Sequence, residues 1–130
     1  MDAVEGMWRL VASLARDEQG QLLDPPYGSH PMGQLMFAYG RMLAVLCSHD
    51  AAPAAGGPRL YSSYGGPYTF DGTVLRTTVD VASDPARIGS VQMRTIVLLE
   101  ANRIAVRPPP RSRADRAEWR ELLWERVWRP

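Results

Sequence analysis

Five polar side chains fall on segments that otherwise carry apolar residues at every second position: Tyr64, Tyr68, Thr77, Gln92 and Arg94. Tyrosine can donate a hydrogen bond or act as a general acid, and arginine can stabilise developing negative charge. An arginine in an apolar interior keeps its proton, so it needs an anionic partner or water. Two interpretations of Arg94 stay open: a structural position near an open mouth, where it is hydrated or pairs with a loop carboxylate, or a binding site for an oxyanion, carboxylate or enolate on a ligand.

The tyrosines also have two interpretations. They either pack in a core with their hydroxyl groups bonded to backbone, or they present polar groups in a pocket that is otherwise apolar. Set together with Thr77, Gln92 and Arg94, they have the composition of a small-molecule site. The sequence therefore makes Arg94, Tyr64 and Tyr68 the candidate catalytic residues, and Thr77 and Gln92 candidate ligand contacts.

Other kinds of chemistry find little support. Cys47, His30 and His49 supply too few ligands at suitable spacing for a zinc site, and Cys47 falls on a predicted outer face. No Gly-x-Gly-x-x-Gly segment follows a strand, so a phosphate-binding loop is not predicted. Every basic residue is arginine, which excludes a lysine Schiff base. We expect neither a metal nor a cofactor.

The bulk composition fits one globular domain over residues 1–130. Hydrophobic residues make up 45% and charged residues 22% of the chain, and the net charge is +1. This balance lacks the concentrated basic field that nucleic-acid or anionic-membrane partners require. The single cysteine and the absence of a secretory signal or long apolar run predict a cytoplasmic protein. The composition makes no prediction about oligomeric state.

Eight segments have the alternation and flanking turn residues of β-strands: 8–14, 33–38, 41–47, 64–70, 73–81, 91–99, 103–107 and 121–127. Turns are predicted at Tyr39-Gly40, at Asp71-Gly72 and at residues 100–102. The charged segment 111–119 is expected to form a short helix before the last strand. Eight strands joined by hairpins predict an all-β, antiparallel up-and-down barrel, which closes around a space suited to one small ligand. An α+β alternative would need long helices, which only the chain ends could supply.

Side chains alternate across a strand, so each turn fixes which residues share a face. The turn at Asp71-Gly72 pairs Tyr68 with Leu75 and Tyr64 with Val79. The turn at residues 100–102 pairs Leu98 with Ile104 and Ile96 with Val106. The predicted interior comprises Leu35, Phe37, Met42, Ala44, Leu46, Tyr64, Tyr68, Phe70, Leu75, Thr77, Val79, Val81, Gln92, Arg94, Ile96, Leu98, Ile104 and Val106.

Several motifs along the chain resemble a bacterial lipocalin-like family of calycin-type barrels. Gly6-Met7-Trp8-Arg9-Leu10 is similar to the Gly-x-Trp opening of lipocalins, and Leu123-Trp124-Glu125-Arg126-Val127 resembles the family's closing strand. Further similarities lie at 33–42, 89–94 and 102–104. The resemblance implies a barrel with a closed floor, where the Trp8 ring fills the bottom and Arg126 stacks on it as a structural pair. The family often has a histidine in its fifth strand, where this chain has Thr77 or Thr78.

The resemblance also implies that the loop after the first strand, with Tyr27 and His30, covers the barrel mouth. Leu35, Phe37, Met42, Leu75 and Ile96 would then line the space below it. Carrier lipocalins are usually exported, and the chain lacks an export signal. The resulting hypothesis is that the barrel binds a small, largely apolar molecule and promotes a cofactor-independent cyclisation, isomerisation or dehydration of a secondary-metabolite intermediate.

Two alternatives remain. One is a non-catalytic small-molecule binding or carrier protein. The other is a protein-interaction barrel whose core is completely filled by its own side chains.

Overall fold

The computed structural model describes residues 2–49, 60–100, 102–113 and 116–130. Ten antiparallel strands account for most of this part of the chain: β1 (Gly6–Arg16), β2 (Pro31–Ala38), β3 (Arg41–Ser48), β4 (Tyr61–Phe70), β5 (Val74–Thr78), β6 (Val81–Ala82), β7 (Val91–Leu98), β8 (Arg103–Arg107), β9 (Arg111–Arg113) and β10 (Arg116–Trp128). The helical structure in the described ranges is one 3-10 turn, Pro85–Arg87. No helix among these residues is long and apolar enough to cross a membrane.

Eight of the strands close into a barrel, as predicted. They follow one another in the order β1-β2-β3-β4-β5-β7-β8-β10, and β10 pairs back onto β1. The two short strands lie off this ring: β6 pairs with β4, and β9 pairs with β10. Because the ring closes, each of the eight strands has its backbone paired on both sides, and alternate side chains of every strand face one enclosed space.

The predicted helix at 111–119 is wrong. Its described residues form β9 and the start of β10. β9 pairs with the first residues of β10, Arg116 to Glu118, and β10 then pairs with β1 from Trp119 opposite Arg16 onwards. The described residues of this charged segment therefore satisfy their backbone hydrogen bonds as strands, in part with each other and in part with β1.

The predicted fifth strand, 73–81, is also divided. β5 ends at Thr78 and β6 begins at Val81, and the intervening backbone makes loop-type bonds from Val79 N to Ser90 O and from Asp80 N to Gly65 O. Because of this break, side-chain alternation does not continue from β5 into β6. Val81 was predicted to face inward and is instead exposed.

The turn after β4 is longer than the predicted Asp71-Gly72 pair. The Asp71 carboxylate accepts the backbone N–H groups of Thr73 at 2.9 Å and Val74 at 2.7 Å, which widens the connection. Tyr68 consequently lies opposite Thr77 rather than Leu75, and Tyr64 lies opposite Ala82 rather than Val79. For Tyr68 the shift is two residues, which leaves the inward face unchanged.

The remaining hairpins have the predicted register. Ile96 pairs with Val106 and Leu98 with Ile104 across β7 and β8, although Leu98 itself is exposed; Ala101 of the intervening turn lies outside the described residues. The residues predicted to point inward from β2 and β3 are all buried: Leu35, Phe37, Met42, Ala44 and Leu46. These side chains, with Leu75, Ile96 and Trp124, belong to one continuous core.

A tryptophan–arginine pair closes one end of the barrel, as the resemblance implied. The Trp8 ring is 1% exposed, and its Nε1 donates to the carbonyl oxygen of Val4 at 2.9 Å. The Arg126 guanidinium carbon lies 4.4 Å from the ring centroid, and its Nη2 donates to the carbonyl oxygen of Ala3. Burial lowers the pKa of Arg126, and Arg129 adds to this, but a guanidinium remains charged. The floor is therefore the buried Trp8 ring, covered by the partly exposed Arg126 guanidinium in a cation–π contact.

Two glycines in β4 let the sheet change partners beside the cavity. A Cβ on Gly66 would lie 1.9 Å from the carbonyl oxygen of Thr78, and one on Gly65 would lie 2.7 Å from that of Met42. No side chain fits in either space. The close approach allows β4 to pair with β6 at Tyr64 and Gly65 and with β5 from Tyr68 onwards.

Replacing Gly66 with alanine should lower the free energy of unfolding by about 2 kcal/mol or more, because a strand must move to admit the methyl group. Urea unfolding of Gly66→Ala against the unmodified chain measures this. Gly40→Asn is the control, since Gly40 has φ +75 and open space around it, a conformation that asparagine tolerates. Equal midpoints for the two variants would contradict the close approach.

Candidate functional site

A cavity of about 620 Å³ occupies the half of the barrel away from the Trp8 floor. The apolar part of its wall is built from inward-facing positions of five strands, β2, β3, β5, β8 and β10: Leu35, Met42, Ala44, Leu46, Leu75, Val106, Leu122 and Trp124. Around its opening lie the loop after β1, the 3-10 turn and the connection after β8, which contribute Pro26, Tyr27, Asp84, Arg87, Pro108, Pro109 and Arg111. Because side chains alternate between the two faces of each strand, the barrel encloses a largely apolar chamber with polar groups around its opening.

Arg94 points into this chamber from β7. Its Nη1 donates to the carbonyl oxygen of Met93 at 2.8 Å, and among the described residues no carboxylate forms an ion pair with it. Burial lowers its pKa; the nearby Tyr64 and Tyr27 hydroxyls act in the opposite direction, and the charge of Arg87 lowers the pKa further. Arg94 therefore remains a cation in a partly desolvated position, and it has no described anionic partner.

Arg87 reaches the same chamber from the 3-10 turn. Its guanidinium carbon lies 4.2 Å from the centroid of the Tyr64 ring, which is a cation–π contact. It donates to the Ser62 hydroxyl oxygen at 3.2 Å and to the Gln92 side-chain oxygen. These contacts fix the Tyr64 ring and orient the Gln92 amide.

Two N–H donors on the cavity wall have no described partner. They are the Nε2 of Gln92 and the Nε1 of Trp124, both shielded from solvent. A buried donor without an acceptor costs free energy, so such groups are normally matched by protein, water or ligand. The inside of the chamber is consequently rich in donors.

Two of the remaining charged groups around the chamber, Arg120 and Asp84, already have described partners, whereas Arg111 at the opening forms no ion pair with a described carboxylate. Arg120 lines the cavity, and its Nε donates to the fully buried carboxylate of Glu118. Asp84 is the carboxylate in the described lining, and its Oδ1 accepts the backbone N–H of Ala86 at 3.0 Å, capping the 3-10 turn. Inside the chamber, Arg94 and Arg87 are therefore cations that a ligand would meet without first displacing a carboxylate, and the exposed Arg111 adds a third at the opening.

The structure brings seven of the predicted site residues together on the cavity: Tyr27, Leu35, Met42, Tyr64, Leu75, Gln92 and Arg94. Three others are buried in the core and do not line it: Phe37, Thr77 and Ile96. Their side chains face inward as predicted, but neighbouring side chains separate them from the cavity.

Tyr68 was predicted to be a catalytic residue, and the structure places it elsewhere. Its hydroxyl donates to the carboxylate of Asp2 at 2.8 Å, and its ring packs edge-on against Phe37 with centroids 5.0 Å apart. Burial raises the pKa of the Tyr68 hydroxyl, and the Asp2 and Glu5 carboxylates raise it further. Tyr68 shares a face with Tyr64 but lies four residues nearer the floor, beyond the cavity.

His30 does not close the mouth of the barrel. It is exposed, its Nδ1 contacts the Ser29 hydroxyl at 3.1 Å, and its ring lies 6.4 Å from that of His49. Because β2 already begins at Pro31, His30 is held at the outer end of the sheet. In the described part of the chain no group of three His, Cys, Asp or Glu side chains could hold a metal ion.

Arg87 is the functional candidate that the sequence analysis missed. Strand alternation says nothing about a residue in a loop between strands. A local signal was nevertheless present: Asp84 followed by Pro85 is typical of the first turn of a helix, with the aspartate as its cap. That turn places Arg87 at its end, directed towards the cavity.

A closed antiparallel barrel with an internal apolar cavity open at one end is an architecture that can enclose one small ligand. The chain belongs to the lipocalin-like domain family, whose model matches residues 5–128. No curated protein sequence matches it.

Solved structures with a similar arrangement include two engineered barrels. One is a de novo designed fluorescence-activating β-barrel, 12% identical, with a TM-score of 0.44 over 95% of this chain and 94% of the other. The second is a redesigned β-barrel, 11% identical, with a TM-score of 0.44 over 95% and 91% of the two chains. Both similarities are too low to bear on what this chain binds.

The placement of Tyr68 predicts a specific alkaline response. An unfolded tyrosine ionises near about pH 10, whereas the folded Tyr68 keeps its proton, so the stability from this contact is present below that pH and is lost above it. The free energy of unfolding should therefore fall more steeply between about pH 8 and 11 in the unmodified chain than in Tyr68→Phe. Tyr39→Phe, at a fully exposed tyrosine, is the matched control and should behave like the unmodified chain.

Proposed function

We propose that this barrel binds one small, largely apolar molecule in its internal cavity. The observation that carries the proposal is the cavity itself, about 620 Å³ with apolar walls on most sides and a few polar groups at defined positions. Pockets for small organic molecules typically have about 300–1,000 Å³ and this same distribution of apolar surface and isolated polar groups. Membership of the lipocalin-like family supports the same function.

The cavity argues against a barrel that acts only through its outer surface. A barrel with a completely filled core would have side chains in this volume, as it does around Phe37 and Trp8 at the floor. Above them the inward positions carry small side chains, such as Ala44 and Ser62, which leave space. Open volume in a protein interior forfeits packing contacts, and a bound molecule restores them.

A cofactor-free cyclisation, isomerisation or dehydration of a bound intermediate is the finer hypothesis for this cavity. Arg94 is placed to stabilise negative charge, but of the two candidate tyrosines Tyr64 alone lines the cavity, and the Arg87 guanidinium covers its ring. Proton transfer would therefore depend on one hydroxyl group. Binding requires fewer of these groups than chemistry does, so we place binding first and the reaction second.

Filling the cavity should abolish binding. Ala44 is 1% exposed and lines the cavity, so Ala44→Phe would place a ring inside it. We expect the fluorescent dye Nile red to bind the unmodified chain and to bind Ala44→Phe at least about tenfold more weakly, since tenfold corresponds to only about 1.4 kcal/mol of lost contact. Titration of the dye's fluorescence measures both affinities.

The matched control is Leu43→Phe on the same strand. Leu43 is the next residue of β3 and faces outward, so the same aromatic ring is added without entering the cavity. Nile red should bind this variant with unchanged affinity. An unmodified chain that does not bind the dye, or two variants that lose it equally, would contradict an internal site.

A further inference from the structure

We propose that the ligand of this cavity is an amphipathic acid, an apolar body with one carboxylate group, and that Arg94 together with the Gln92 amide binds the carboxylate. This inference rests on the proposed function and adds the chemical class of the ligand. It depends on the donor and acceptor balance of the cavity, on the orientation of Gln92 and on the distribution of charge.

Three side chains that line the cavity, Arg94, Gln92 and Trp124, have N–H groups without a described acceptor. The guanidinium of Arg94 has five N–H donors, of which one is bonded to the carbonyl oxygen of Met93. The Nε2 of Gln92 and the Nε1 of Trp124 are buried and have no described acceptor. A ligand that satisfied this set would need acceptors.

Chemistry fixes the orientation of the Gln92 amide. Its oxygen and nitrogen are easily exchanged in a structure, but Arg87 can only donate, so the atom facing Arg87 must be the oxygen. The N–H₂ group is therefore directed away from Arg87. Gln92 and Arg94 lie two residues apart on β7, face the same side and both line the cavity.

The charge distribution favours an anion over a neutral acceptor. Arg94 and Arg87 are close enough for the charge of one to lower the pKa of the other, and neither has an ion pair with a described carboxylate. Two like charges in a partly dry chamber repel each other, and an anion between them relieves this. By contrast, Arg120 is already paired with buried Glu118.

A carboxylate meets these requirements best. Its two oxygens match the planar fork of a guanidinium, and charge-assisted hydrogen bonds of this kind are among the strongest in proteins. The apolar body would lie against Leu35, Leu75 and Trp124, which line the same cavity.

The test compares two ligands of equal chain length that differ only in the polar end. Decanoate and decan-1-ol are competed against Nile red on the unmodified chain at neutral pH, where the acid is ionised. Decanoate should bind at least about tenfold more tightly, as expected for one additional charge-assisted hydrogen bond to a buried arginine. Equal affinities would overturn the proposal and leave water as the partner of these donors.

Arg94→Gln assigns the preference to a residue. This variant should bind decan-1-ol as before and lose most of its preference for decanoate. Arg76→Gln is the control, because Arg76 lies on the neighbouring strand β5 with its side chain outside the barrel, 3.8 Å from Asp71. It should keep the preference. If Arg94→Gln keeps it as well, Arg94 is not the anchor and the assignment fails.

The two proposals fail in different ways. Absence of Nile red binding to the unmodified chain contradicts small-molecule binding in general. Nile red binding with no preference for the acid contradicts only the carboxylate site, because the dye carries no negative charge and needs only the apolar chamber.

Discussion

The pairing of β1 with β10 is the constraint on which the rest of this structure depends. It converts an open sheet into a ring, so every inward side chain faces the same enclosed volume and no long backbone edge is left unpaired. The ring closes where Trp8 lies opposite Arg126, and the stacked guanidinium seals the end at which the strands meet. Without this closure, Arg94 and the apolar residues of β2 and β3 would lie on opposite margins of a sheet rather than across a cavity.

Residue size along the inward faces divides the interior into a solid floor and a hollow upper part. Towards the floor the inward side chains are large, and Trp8, Phe37 and Tyr68 fill the space between them. Towards the mouth the inward positions include Ala44 and Ser62, whose side chains are too small to fill the space across the barrel. Two tyrosines on one face of β4 therefore have different roles: one stabilises the floor through Asp2, and the other lies on the cavity wall.

The arginines show the same division between inside and outside. On the outer surface they pair with carboxylates, as Arg41 does with Asp80 at 2.7 Å and Arg103 with Glu125 at 3.3 Å. Such exposed pairs contribute little to stability, since water screens them. Inside, Arg87 and Arg94 have aromatic, amide and backbone contacts instead. Their uncompensated charge is the property that distinguishes this cavity from a purely apolar one.

The sequence by itself determined the eight strands of the barrel, the inward faces of β2, β3, β7 and β8, and the presence of Arg94 and Gln92 on an inner face. These features follow from local periodicity and short turns, which act between neighbours in the chain. Two further local features were not predicted: the Asp71 turn, which moved the register by two residues, and the pairing of β9 with the start of β10. Tertiary structure decided the rest. Backbone bonds from Val79 and Asp80 to Ser90 and Gly65 interrupt the fifth strand, and barrel depth separated Tyr68 from Tyr64. Both depend on partners distant in sequence, and alternation within one strand carries no information about depth or distant partners.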